Sequence, residues 1–207
     1  GEAPLAVWHE LAAELVAVVP APPPDAGWPA ELGRLAPDLT AGLGRSTVPP
    51  PVASPELERL RIFDAVLRLV EWAAAHRPVF LVAEDVHRAD RASIALCAHI
   101  GRRLARLPVL FLLTRRGRPE SPDVDALLAD AAGRGTDVLE LALGPLPEPD
   151  LAAVIRSVVG LPAPDVARVL ANADGNPLLA VERARAVAGG HAEPPPSLRV
   201  AVRASMG

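Results

Sequence analysis

The 207-residue chain contains no lysine, no tyrosine and a single cysteine, and aromatic residues make up only 3% of it. The one cysteine, Cys97, excludes a disulfide framework and a thiolate metal site, which favours a reducing, cytoplasmic location. With so few aromatic rings, binding of single-stranded nucleic acid by base stacking is poorly supported. No apolar run reaches the roughly 18 residues that a membrane-spanning helix requires, so no membrane partner is expected.

Charge is also modest. The formal net charge is −4, and all 21 basic residues are arginine. This balance lacks the basic footprint of a nucleic-acid-binding domain, so any DNA binding is expected from a domain outside this chain. The chain begins without Met, inside a helical pattern and without the basic lead of a signal peptide, which predicts a piece of a longer protein.

Hydrophobic periodicity predicts a series of helices along the chain. Ser54 and Asp90 are well placed as helix N-caps, and Leu60 is expected in the buried stripe of the helix that follows Ser54. The proline-rich stretch 21–51 is interpreted as a surface connection that contains a short helix around Ala30 to Leu35. Helices are predicted at 5–19, 55–76, 91–106, 124–132, 148–159, 164–173 and 177–188.

Three apolar runs of strand length alternate with the earlier helices, at Val79–Ala83, Val109–Leu113 and 138–143. The runs at 79–83 and 109–113 are apolar throughout, so they are predicted to be adjacent parallel strands buried on both faces, and 138–143 is predicted to be the third strand. The expected fold class is α/β, a partial three-layer αβα sheet over residues 1–144. A small all-helical domain is predicted over residues 145–207, with Gly144-Pro145 as a hinge.

Two adjacent acids, Glu84 and Asp85, end the first apolar run. In open parallel sheets ligands bind beyond the carboxyl ends of the strands. Paired carboxylates at that place can hold Mg²⁺ through water and polarise an attacking water molecule. The chemistry predicted is binding of a nucleoside triphosphate, with possible hydrolysis. The alternative is an ordinary turn that leads into a helix cap.

Three motifs in combination carry a family resemblance. Residues 84–90 read Glu-Asp-Val-His-Arg-Ala-Asp, residues 113–116 read Leu-Thr-Arg-Arg, and residues 175–177 read Gly-Asn-Pro at the start of a helix. Together they resemble the ATPase module of the STAND branch of the AAA+-like P-loop NTPases, most closely that of large LuxR-type transcriptional regulators. One departure within the first motif is Arg88, where the family usually has Trp.

The resemblance implies roles for particular residues. Glu84 and Asp85 would be catalytic and would hold Mg²⁺ through water, and Arg116 would sense the terminal phosphate of ATP. Asn176 and Pro177 would contact the nucleotide, with Pro177 on its adenine side, and the helical domain would act as a lid. For the Gly-Asn-Pro trio the alternative is a helix start without a ligand.

The phosphate-binding loop of the family, Gly-x-x-x-x-Gly-Lys-Ser/Thr, cannot lie in a chain without lysine. The strand that precedes this loop is also missing, and in the family it lies between the runs at 109–113 and 138–143. The chain alone is therefore expected not to bind ATP. Two functions remain open: an ATP-dependent switch in a transcriptional regulator, or a non-catalytic scaffold that contacts an effector protein or another copy of itself. A Rossmann-type oxidoreductase is disfavoured because no Gly-x-Gly-x-x-Gly follows a strand.

Overall fold

The computed structural model describes residues 4–44, 49–52, 54–117 and 121–190. It is about 60% helical and contains a small parallel sheet. The chain divides into two compact units, Gly1–Leu139 and Glu140–Gly207. Within the described residues, no helix combines the length and the apolar character needed to cross a bilayer.

The first unit contains its sheet and six helices within the described residues. These are α1 (Ala6–Val18), α2 (Trp28–Glu31), α3 (Pro37–Gly42), α4 (Pro55–His76), α5 (Arg91–Leu104) and α6 (Pro122–Gly133). The stretch interpreted as a surface connection forms α2 and α3 where one short helix was expected, and it buries Leu32, Leu39 and Leu43 in the core. Prolines in the first turns of α2 and α3 begin these helices, because that position needs no backbone donor.

Helix α4 is the longest element of the unit, and it begins as predicted. The Ser54 hydroxyl accepts the backbone N–H of Leu57 at 3.4 Å. Leu60, however, is 53% exposed, so its predicted place in the buried stripe is wrong. It lines an open groove of about 460 Å³ between α2 and α4, beside Trp28. The side chains that α4 does bury are Phe63, Ala65, Val66, Leu67, Leu69, Val70, Ala73 and Ala74.

The sheet consists of two strands within the described residues, β1 (Val79–Ala83) and β2 (Val109–Leu113). They pair in parallel, with Val79 opposite Val109 and Ala83 opposite Leu113. Helix α5 connects them, as expected for a parallel pair that needs a crossover. The prediction of two adjacent parallel strands at these residues is confirmed.

The prediction that both faces of these strands are buried is wrong. Val79, Leu81 and Ala83 lie in the core, where α1 and α4 pack against β1. The opposite face remains open, with Phe80 60% and Leu110 65% exposed. An uninterrupted apolar run shows that both faces of the strand are apolar. It does not show which of the two faces the rest of the chain covers.

The third predicted strand, at residues 138–143, is also wrong. The backbone there forms no strand, and Leu139, Leu141 and Leu143 are 82%, 71% and 95% exposed. A strand exists only when a neighbour accepts and donates its hydrogen bonds, and no described strand lies beside this segment. The described residues are therefore compatible with the partial α/β fold that the sequence predicted, but they contain two of its three predicted strands.

Among its described residues, the second unit contains helices close to the three positions that the sequence predicted. Its helices are α7 (Glu148–Val158), α8 (Ala163–Leu170) and α9 (Pro177–Ala188). They enclose a small core of their own. Its buried residues are Leu151, Ala152, Ile155, Val166, Val169, Ala173, Ala180 and Ala184.

Candidate functional site

The carboxyl ends of β1 and β2 lie side by side, and their hydrogen bonds continue into the loops that follow. The N–H of Thr114 donates to Ala83 O at 3.0 Å, and the N–H of Val86 donates to Thr114 O at 2.9 Å. The loop that carries the paired acids is thereby attached to the loop that carries the arginine pair.

Asp85 occupies a left-handed backbone conformation, with φ 51° and ψ 39°. Its N–H donates to the Thr114 hydroxyl at 2.9 Å, which holds the turn in this conformation. Asp is one of the few non-glycine residues that adopt it at tolerable cost. The Asp85 side chain is 56% exposed and Glu84 is exposed as well, so both carboxylates are open to solvent at the predicted sheet edge.

His87 connects the two loops from within. Its side chain is only 9% exposed, and Nδ1 lies 3.9 Å from the Asp85 carboxylate. Nδ1 also accepts the backbone N–H of Arg116 at 3.3 Å. A ring nitrogen that accepts a hydrogen bond carries no proton, so in the neutral imidazole the proton is on Nε2. His87 is thus a packed histidine, and it positions the backbone of Arg116.

The two arginines after β2 have different surroundings. Arg115 forms an ion pair with Asp125 of α6. Arg116 is half-buried, and its backbone is fixed by His87 on the loop of the paired acids. The structure therefore brings the loops of Glu84, Asp85 and Arg116 together at one edge of the sheet.

Asp90 closes the acidic loop and caps α5. Its Oδ1 accepts the N–H groups of Ala92 and Ser93, both at 3.0 Å, which confirms the predicted N-cap. Oδ2 accepts the N–H of Leu5 at 3.1 Å and thereby attaches the segment before α1, a contact that the sequence did not reveal. Partial burial opposes ionisation, but hydrogen bonds from Ser93, Leu5 and Ala92 outweigh it and hold the pKa of Asp90 below its usual value.

The donors at this edge suit a hydrated divalent cation. Mg²⁺ commonly keeps several waters and takes one or two carboxylates together with substrate phosphates, and Glu84 and Asp85 supply two carboxylates. Nowhere among the described residues do three or more His, Cys, Asp or Glu side chains cluster as a metal site. Cys97 lies buried in α5, and burial raises the pKa of its thiol to about 12, so it is not a thiolate ligand.

Asn176 and Pro177 belong to the helical unit and begin α9. Asn176 Oδ1 accepts the N–H of Leu179 at 3.1 Å, and Pro177 occupies the first turn. Before them, Asp174 and Gly175 both have positive φ, 45° and 71°. This geometry accounts for the trio as a helix start. Their contact with a nucleotide stays a prediction, as does the expected approach of Asn176 to the strand ends.

Thr114 and His87 are the residues of this edge to which the sequence had assigned no connecting role. Their signal is weak: a threonine after a buried strand and a histidine two residues after the second acid. Their hydrogen-bond partners each lie 29 positions away in sequence, so the pairing emerges only in the folded chain.

Comparisons of the chain with protein-family models, with curated proteins and with solved structures find no match. The resemblance to STAND-type ATPase modules therefore rests on the sequence motifs alone, and the function that it implies is a proposal.

Proposed function

We propose that this chain forms part of an ATP-dependent regulatory switch, the STAND-type module of a LuxR-like transcriptional regulator. One observation carries the proposal: the paired acids after β1 and the arginine pair after β2 lie on adjacent loops joined through Thr114 and His87. That is the edge at which open parallel sheets bind ligands. The three-layer P-loop fold would be completed by a strand and a phosphate loop that this chain does not supply.

In this proposal each residue at the edge has a distinct task. Glu84 and Asp85 hold Mg²⁺ through water and polarise the attacking water molecule, and the cation neutralises charge on the phosphates. Arg116 senses the terminal phosphate from the neighbouring loop. The hydrogen bond from the Arg116 backbone N–H to His87 Nδ1 holds this arginine beside the loop of the paired acids. Asn176 and Pro177 contact the nucleotide from the helical lid.

The first experiment titrates ATP and Mg²⁺ into the chain itself. Without a phosphate-loop lysine, binding should be negligible by calorimetry. Micromolar affinity, about −8 kcal/mol, would contradict the proposed dependence on a missing phosphate loop.

The second experiment uses a longer protein that contains this chain together with a phosphate loop. Glu84→Gln combined with Asp85→Asn should abolish ATP turnover while the far-UV spectrum and the unfolding midpoint stay near those of the parent. The matched control is Glu148→Gln with Asp150→Asn, two exposed acids in the first turn of α7, which should leave turnover unchanged. Unchanged ATP hydrolysis in the Glu84→Gln, Asp85→Asn variant would show that these two residues form a turn and have no catalytic role.

A non-catalytic scaffold is the second candidate, favoured by the open apolar face of the sheet. Phe80 pairs in register with Leu110, and Val82 with Leu112, so four exposed apolar side chains form one contiguous patch. Patches of this kind occur at protein interfaces. Absence of ATP turnover in the longer protein, with its regulatory activity retained, would favour this candidate.

A further inference from the structure

The connection that leads into α7 has two contrasting parts. The first part, Leu141 to Gly144, is exposed throughout, with Leu143 at 95%. Within the described part of the chain, no hydrogen bond involves the backbone of these four residues. A segment with neither buried side chains nor backbone partners has little to restrict its rotation.

The second part, Pro145 and Leu146, is attached to the helical unit. The N–H of Leu146 donates to the carbonyl oxygen of Gly175 at 2.9 Å. The Leu146 side chain is half-buried and packs against the core that α7, α8 and α9 enclose. Both a main-chain hydrogen bond and an apolar contact therefore hold this residue.

Gly175 makes this attachment possible for two separate reasons. Its φ of +71° lies in the left-handed region, which side chains disfavour. A Cβ atom at this position would also lie 3.0 Å from Pro145 Cα and 3.1 Å from Leu146 N. Those neighbours are backbone atoms, which cannot rotate aside as the end of a flexible side chain could.

We infer that Gly175 clamps Pro145 and Leu146 onto the helical unit, so that the connection pivots within Leu141 to Gly144. The sequence had placed the hinge at Gly144-Pro145, and the clamp moves it entirely upstream of the proline. Any reorientation of the helical unit would carry Pro145 and Leu146 with it. This attachment is a property of the chain itself and does not depend on whether the sheet edge binds a nucleotide.

Amide hydrogen exchange of the unaltered chain, followed by NMR, tests the inference directly. The Leu146 amide should be protected to a degree similar to amides in the middle of α7, and about 100-fold more than those of Leu141 to Gly144. Order parameters should likewise be low at Leu141 to Gly144 and typical of rigid backbone at Leu146. Equal exchange on both sides of Pro145, whether fast or slow, would overturn the inference.

Three glycine variants separate the close approach from the backbone conformation. Gly175→Ala should lower the protection of the Leu146 amide by about 10-fold or more. The first control is Gly190→Ala: Gly190 also has a positive φ, +77°, but a Cβ atom added there would have no neighbour within 4 Å. The second control is Gly160→Ala: Gly160 has no positive φ, and a Cβ atom added there would have no neighbour within 4 Å. Both controls should leave the protection of Leu146 unchanged within about 3-fold.

Two results with these variants would contradict the proposed role of Gly175. Full protection of Leu146 in Gly175→Ala would overturn the clamp, and so would an equal loss in Gly190→Ala. If Gly175→Ala unfolds the whole helical unit, amides of α7 and α9 lose protection as well, and the comparison within the unaltered chain decides the question.

Discussion

Asp85 is the residue at which the candidate site departs most from ordinary backbone geometry. Of the described non-glycine residues, only Leu5, Asp85 and Asp174 have positive φ. At Asp85 the conformation is held by the Thr114 hydroxyl and places an exposed carboxylate directly after β1. Backbone strain of this kind often accompanies functional positions, and it can be measured apart from the charge.

We predict that Asp85→Gly is more stable than Asp85→Ala by about 1 kcal/mol, because alanine meets the left-handed penalty and glycine does not. Both variants remove the carboxylate, so a difference between them reports the backbone alone. Denaturant unfolding of the two variants provides the measurement.

The matched control for this prediction is Asp64, an exposed residue inside α4. There the order should reverse, with alanine about 1 kcal/mol more stable than glycine, because glycine is the poorer helix former. Equal stability of Asp85→Gly and Asp85→Ala would show that the turn is not strained in solution.

Among the elements, the two-stranded sheet differs most from what the sequence predicted. Its strands begin and end at the predicted residues and pair in parallel, yet one face packs on α1 and α4 while the other is open. Trp8 of α1 contacts Phe111 of β2 edge to face, with ring centroids 5.8 Å apart, on the covered side. The stability of the unit should therefore depend on one face of each strand.

Leu81 and Leu110 give a matched test of this asymmetry, since they are 3% and 65% exposed. Leu81→Ala should cost about 2–5 kcal/mol of unfolding free energy through the lost contacts and the cavity. Leu110→Ala should cost no more than about 1 kcal/mol. Denaturant unfolding of both variants measures the difference. A large loss for Leu110→Ala would mean that something covers the outer face in solution.

At the scale of the whole molecule, the described residues form two separate hydrophobic cores. The larger one joins the sheet to the helices of the first unit, and the smaller one holds α7, α8 and α9 together. Small cores stabilise weakly because little of their surface is removed from water. The helical unit is therefore expected to have a smaller free energy of unfolding than the first unit, so that a smaller destabilisation unfolds it.

Ile155 lies fully buried in α7 and tests the independence of the two cores. Ile155→Ala should remove about 2–5 kcal/mol from the helical unit. Amides of α7, α8 and α9 should then lose protection from hydrogen exchange, while those of α4 keep theirs. Val158→Ala, on the same helix but 48% exposed, should change neither set. Equal loss in α4 after Ile155→Ala would show that the chain unfolds as one cooperative unit.

Local features of this protein could be predicted from the sequence. The cap at Ser54, the cap at Asp90, the limits of β1 and β2 and the three helices of the second unit all depend on residues within a few positions of one another. The position of Glu84 and Asp85 at the end of a strand follows from the same local pattern.

Features that depend on distant residues emerged only in the folded chain. Asp85 meets Thr114 across 29 positions, and Leu5 meets Asp90 across 85. The open face of the sheet and the absence of a strand at 138–143 likewise depend on which neighbouring elements the described residues provide. Hydrophobic periodicity records what a segment could bury, whereas burial itself requires a partner surface, and a strand requires a neighbour with which to exchange hydrogen bonds.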